Sequence, residues 1–149
     1  MIDPGLLTQL ADEARREGVR KLVVGAVIAI GTDVLLLKRP QDDFMGGIYE
    51  LPSGNVEPGE TLDVALRREV HEETGLEMGA ITGYLGRFDY ASASGKKSRQ
   101  FNFIIEVTAT GPVRLQEHDT YLWAAPDADP PVTDAVKNLL ANYAQVIAG

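Results

Sequence analysis

The chain has no cysteine. Disulfides, thiol catalysis and zinc–thiolate sites are therefore excluded. It also lacks any apolar run near the length that spans a bilayer, and any basic-then-apolar leader pattern. A cytoplasmic protein with no membrane partner is expected. Positive charge is scarce: 14 Lys and Arg stand against 22 Asp and Glu, a net charge of −8. A non-specific binder of nucleic-acid polymers wants a basic surface, so that class is not expected. The excess of acid suits a protein whose carboxylates hold cations. Internal repeats and low-complexity tracts are absent too, and 149 residues suggest a single domain with a real core.

What the chain does have is an acidic stretch from Gly54 to Leu76, GNVEPGETLDVALRREVHEETGL. Thr61 is a fair N-cap, Asp63 puts negative charge in the first turn, and Gly75 sits where a helix ends in a left-handed residue. The predicted helix is Leu62 to Thr74. At the helical period, Leu62, Ala65, Leu66 and Val70 share one arc and should pack on the protein. Glu69 and Glu73 fall inside that arc, with Glu72 at its edge. Val64, Arg67, Arg68 and His71 take the solvent side. An ordinary acidic helix turns its charges to water. Here like charges at helical spacing repel along the packed face, oppose the dipole in the last turns, and resist burial. A divalent cation removes all three objections, and oxygen-only ligands suit Mg²⁺ or Mn²⁺.

The stretch resembles the Nudix box, G-x5-E-x7-R-E-U-x-E-E-x-G-U, where U is a bulky aliphatic. Gly54, Glu60, Arg68, Glu69, Val70, Glu72, Glu73, Gly75 and Leu76 fill every specified position. One departure precedes it. The family often reads L-P-G-G, whereas here Leu51, Pro52, Ser53 and Gly54 stand, and Ser53 prefers negative φ. The resemblance implies a Nudix hydrolase that uses water and divalent metal, Mg²⁺ or Mn²⁺, on a nucleoside diphosphate linked to another group. It implies that Glu69, Glu72, Glu73 and the Gly54 carbonyl are metal ligands, with Glu69 also a candidate base. Arg68 and Glu60 would orient the catalytic carboxylates. Each has a plainer reading: Arg68 and Glu72 could be a surface pair, and Glu60 a helix-start charge. A Nudix-like binding or sensor domain without catalysis is the alternative function, and an intact carboxylate set favours the hydrolase.

Asp3 to Gly18 reads as a first helix outside the matched region, with Asp3 as cap, Pro4 at its first position, and a stripe of Leu6, Leu7, Leu10, Ala11 and Ala14. That stripe packs on its own domain or forms a homodimer contact. The family region, taken as 19–149, holds a hairpin of Lys21–Ile30 with Val34–Lys38 and strands over Ala80–Phe88, Phe101–Thr108 and Tyr121–Ala124. A C-terminal helix begins at Thr133. Tyr90 to Gln100 reads as a loop. Strands interleaved with three helices imply helices packed on a mixed sheet. The resemblance agrees on the α/β class, an α/β/α sandwich with helices on both faces.

Substrate contacts are less legible. Arg39, Arg87, Lys96, Lys97 and Arg99 are candidate phosphate contacts. Phe44, Tyr49, Phe88, Tyr90 and Tyr121 could stack a base. Phe101 and Phe103 read as core. Of the two histidines, His71 should be solvated, and His118 lies in a polar segment as a loop or substrate contact. A further metal ligand is expected from outside the helix. Glu117 is preferred over Asp119 for its longer reach. A small-molecule nucleotide is the expected partner.

Overall fold

The computed structural model describes residues 2–42, 46–91, 95–109, 112–115, 118 and 120–148. Its axis is β1, Lys21–Ile30, buried over most of its length. A turn at Gly31, which sits at φ 60°, leads to β2, Asp33–Lys38. Two short strands follow, β3 at Tyr49–Glu50 and β4 at Ser53–Asn55. The long strands β5, Glu77–Ala91, and β6, Lys97–Ala109, form an antiparallel pair. β7 is Thr120–Ala124. The sheet order is β3-β2-β1-β6-β5, with β4 also on β1 and β7 also on β2. β1 runs parallel to β6 and antiparallel to β2 and β4, so the sheet is mixed.

Period-two alternation divides this sheet into two buried faces. Val24, Ala26 and Ile28 of β1 join Phe101, Phe103 and Ile105 of β6 in one core. Helix α1, Pro4–Arg16, covers that face with Leu7, Ala11 and Ala14. Helix α2, Leu62–Thr74, adds Leu62, Ala65, Leu66 and Val70. Val27, Leu36 and Ile104 point the other way, against Val136, Leu139, Leu140 and Tyr143 of α3, Asp134–Ala148. The result is an α/β/α sandwich. Among the described residues no helix is long and apolar enough to cross a membrane.

Several local expectations meet their physical limits. Asp3 caps α1, its Oδ1 accepting from Gly5 N–H at 2.9 Å. Thr61 stands at the N-cap of α2 but makes no side-chain cap hydrogen bond. Gly75 ends α2 at φ 73°. The predicted loop over Tyr90–Gln100 is mostly strand. Residues 92–94 lie outside the described residues, and the flanks pair from Phe88↔Gln100 to Ala91↔Lys97. Small and basic residues gave no strand signal there, but ion pairing across the ladder supplied one.

That ion pairing centres on Arg99, whose side chain is only 2% exposed. It donates to both Asp89 oxygens at 2.7 and 3.0 Å and to Glu17 Oε1 at 3.0 Å. Arg87 sits 3.8 Å from Glu13 and from Asp89. The two arginines thus fasten the C-terminal end of α1 to the β5–β6 hairpin. Arg99→Met should lower the unfolding free energy by about 2–4 kcal/mol, since a buried guanidinium takes several charge-assisted bonds with it. Urea denaturation is the measurement. A loss below about 1 kcal/mol would mean that water already does most of the solvating at this cluster.

Candidate active site

The site begins where α2 meets β4. Leu62, Ala65, Leu66 and Val70 fix the roll of the helix by packing inward. That roll carries Glu69 and Glu73 toward the backbone of Ser53 and Gly54. The Ser53 N–H donates to Glu73 Oε1 at 2.6 Å. A Cβ placed on Gly54 would overlap the Glu69 carboxyl group, so only glycine permits this approach. Ser53 holds a negative φ and its side chain creates no backbone strain.

Arg68 is the exception to the predicted helix faces. Its side chain folds back over the acidic side and is 24% exposed. Nε donates to Glu60 Oε2 and Nη2 to Glu60 Oε1, each at 2.8 Å, a bidentate pair. Nη1 reaches Glu69 Oε1 at 2.8 Å and Glu72 Oε2 at 3.2 Å. Nη2 also donates to the Asn55 carbonyl at 2.9 Å. Arg68 therefore does more than pair at the surface with Glu72. Glu60 in turn accepts from the Glu57 N–H at 2.8 Å. The hydrogen bonds from Arg68, then that from Glu57, hold its carboxyl down at about 2. The arginine's own proton is held more tightly, first by Glu60.

The carboxylates of α2 differ in environment. Glu72 is half exposed. Glu69 is pushed up by burial, against the pull of Arg68. Glu73 is pushed up by burial to about 8, against the pull of His118 and the Ser53 N–H. His118 is the neighbour that the sequence underrated. Its side chain is 6% exposed, with Nε2 2.7 Å from Glu50 Oε2 and Nδ1 3.9 Å from Glu73 Oε2. Burial works against its protonation, but Glu50 and Glu73 outweigh it and raise its pKa. Glu50 also pairs with Arg39 at 3.1 Å.

Of these groups, Glu73, His118, Glu50 and Arg39 line a cleft of about 520 Å³, whereas Glu69 and Glu72 are not among its lining residues. Ser53, Gly54, Asn55 and Tyr49 line it too. β5 and β6 contribute Phe88, Asp89, Tyr90 and Gln100 to the lining, and Tyr90 feels the charges of Glu50 and Arg39. Of the residues expected at the substrate, Arg39 and Tyr49 lie on the cleft, as do Phe88 and Tyr90. Arg87 and Arg99 do not; they are turned to α1 in the ion pairs described above. Lys97 Nζ likewise donates to the Glu17 carbonyl at 3.4 Å. Tyr121 is exposed on β7, away from the cleft. Phe44, Glu117 and Asp119 lie outside the described residues. His71 is exposed as expected, 2.8 Å from Glu77. Glu50 and Gln100 were missed, although Gln100 and Asn102 alternating with Phe101 and Phe103 are a readable sign of a polar inner face.

The donors at the α2–β4 junction are all oxygens: the Glu69, Glu72 and Glu73 carboxylates and the Gly54 carbonyl. A hard divalent cation takes such a set. Among the described residues no three acidic or histidine side chains stand grouped to hold an ion as they are. Arg68, Ser53 and His118 account for this, since each draws a carboxylate to itself.

The NUDIX domain family matches residues 19–143. The chain belongs to the NUDIX family. It is 32% identical over 111 residues to the CTP pyrophosphohydrolase of Escherichia coli K12, covering 70% of this chain and 76% of that one. It is 42% identical over 60 residues to the putative 8-oxo-dGTP diphosphatase 2 of Mycobacterium tuberculosis H37Rv, covering 40% of this chain and 43% of that one. Among solved structures, the E. coli ORF135 protein matches with TM-score 0.72 and 28% identity, over 89% of this chain and 94% of that one. The MutT protein of Methanosarcina mazei Go1 matches with TM-score 0.74 and 26% identity, over 87% and 96%. Family and relatives together make the chain a Nudix pyrophosphatase.

Glu73 supplies a test of the site's electrostatics. An acid whose folded pKa lies above its unfolded one, about 4.3, stabilises the fold below that value. The contribution is lost as pH climbs through about 8. Metal-free protein should therefore lose melting temperature between about pH 5 and pH 9. Glu73→Gln, permanently neutral, should flatten that decline and shrink the rise in melting temperature that Mg²⁺ causes in the wild type. Equal pH slopes for the two proteins in EDTA would show that Glu73 is not ionised against a penalty.

Proposed function

We propose that this Nudix enzyme hydrolyses the diphosphate linkage of a nucleoside triphosphate or a nucleoside diphosphate derivative, with Mg²⁺, by attack of water on phosphorus. One observation carries the reading. Glu73 of α2 meets the Ser53 N–H on the wall of a cleft, Glu69 lies against Gly54 of the same wall, and the cleft also bears Phe88 and Tyr90. Phosphates with a cation suit the acidic junction, and a base suits the aromatic rings. The relative aligned over most of both chains is named for a nucleoside triphosphate, CTP, and this favours a triphosphate substrate.

The residues divide the work as follows. Glu69, Glu72, Glu73 and the Gly54 carbonyl would hold the cation, and Mn²⁺ suits the same oxygens. When bound, the cation supplies neutralisation of phosphate oxygens and a lowered pKa for a bound water. Glu69 accepts the proton of the attacking water on its carboxylate. Arg68 aims that carboxylate, and Glu60 fixes Arg68 from the other side. The new P–O bond forms as the bridging P–O bond breaks, and the leaving group departs as a pyrophosphate or a phosphomonoester anion, according to the substrate. Arg39 and Tyr49 contact the substrate on the cleft wall. A cytoplasmic location agrees with this chemistry.

Glu69→Gln should lower kcat by at least about 10²-fold, the scale of a lost general base. EDTA should abolish hydrolysis, and Mg²⁺ or Mn²⁺ should restore it. Full turnover in metal-free buffer, or a loss under about threefold in the variant, would remove this mechanism. A second carboxylate direction is also proposed, from Glu117. Glu117→Ala should cost at least about tenfold in kcat at saturating substrate, whereas Asp119→Ala should change it little. Equal small effects would leave the metal to α2 and β4.

A further inference from the structure

On the cleft side of β6, Gln100 and Asn102 are buried between the apolar side chains of a sheet. The role of Asn102 is internal. Its Nδ2 donates to the Gly86 carbonyl at 3.2 Å and to the Gln100 carbonyl at 3.4 Å. Two backbone acceptors on the nitrogen fix which way that amide faces. Its Oδ1 is left to accept from Gln100 Nε2 at 2.8 Å. The Gln100 amide is thereby oriented too, with its nitrogen on Asn102 and its oxygen free. Gln100 Oε1 accepts no hydrogen bond among the described residues, and it is not sealed from water. Gln100 is one of the residues that line the cleft.

The neighbouring strand is hollowed to seat this pair. A Cβ on Gly25 would lie 2.5 Å from Gln100 Nε2 and 2.6 Å from Asn102 Oδ1. The register puts Gln100 directly opposite Phe88 on β5, and Val23 of β1 opposite both Gln100 and Asn55 of β4. Gln100 thus stands two strand spacings, about 10 Å, from Asn55, and one from Phe88. Phe88 and Tyr90 are tilted ring neighbours with centroids 6.2 Å apart. A flat base lying on Phe88 turns its edge to Gln100.

We propose that Gln100 is a specificity-determining residue that accepts a hydrogen bond from the exocyclic amino group of the substrate base. The enzyme then prefers adenine or cytosine to bases that carry a keto oxygen in that place. The inference rests on the nucleotide reading above and deepens it. Adenine N6 and cytosine N4 bring donors to the amide oxygen; the keto oxygens of hypoxanthine and uracil bring a second acceptor. Two acceptors facing each other in a desolvated cleft leave both unsatisfied.

The test is steady-state hydrolysis with Mg²⁺ of two near-isosteric pairs, ATP against ITP and CTP against UTP. In at least one pair the amino member should be favoured by about tenfold or more in kcat/KM, with the difference carried by KM. Gln100→Leu should bring that ratio to within about threefold of one. Leucine leaves Asn102 Oδ1 unpaired and so bears on folding. Gly25→Ala, which displaces the same amide from β1, is the second variant, and the wild-type comparison needs neither. Wild-type ratios near one in both pairs, a keto preference, or a ratio unmoved by both variants would overturn the inference while the hydrolase stands. Hydrolysis of none of these four nucleotides, nor of ADP-ribose, would overturn the nucleotide reading and this inference with it.

Discussion

Negative charge on the packed side of α2 is the constraint from which the rest of the site follows. Four apolar residues force the helix to roll inward, and Glu69 and Glu73 go with them. Carboxylates so placed need partners, because burial without them is costly. Each takes a different one. Glu69 takes Arg68, which Glu60 holds from outside the helix. Glu73 takes the Ser53 N–H and the flank of His118. Glu72, at the edge of the arc, stays half in water. The junction is a set of oxygens already desolvated and oriented but still short of positive charge, which is the condition a hard cation relieves.

The strand-built wall of the cleft obeys a different constraint, set by the sheet. β1 lies between β6 and β4 over its first half, so one strand's register aligns the β4 backbone and the β6 side chains at once. Val24, Ala26 and Ile28 spend one face on the core beneath α1 and α2. The other face is free to carry Val23 and the space at Gly25. Polar side chains on β6 can occupy this face because they satisfy one another. Gln100, Asn102 and the Gly86 carbonyl form a closed chain of bonds except at one oxygen.

How much of this could be read from the chain differs between the helix and the sheet. Gly54, Glu60, Arg68, Glu69, Glu72 and Glu73 lie within one local segment, and helical periodicity alone placed two of the glutamates on the packed face. Periodicity misjudged Arg68, because a long side chain can turn back over its own helix toward charge. Glu50 and His118 were out of reach. They are 68 residues apart and meet only because β2 pairs with both β3 and β7. Arg99 was misjudged for a related reason. A basic residue in a small, polar segment reads as solvated, and nothing local announces that Glu17, 82 residues away, will close over it.

The same contrast explains why the chemistry of the acidic junction is easier to infer than the identity of the base. Holding phosphate needs charge and oxygen ligands, and a helix with its preceding loop can deliver these from consecutive residues. Reading a base needs an edge-on donor or acceptor beside a ring, at a fixed distance from the phosphates. Here those parts come from separate strands. Phe88 is on β5, Gln100 on β6 and the space at Gly25 on β1, and only their mutual register brings them together. A residue such as Gln100 is therefore silent in the linear sequence. It becomes informative once Asn102 is seen to fix its amide, because an amide pinned on one side can offer only one kind of group on the other.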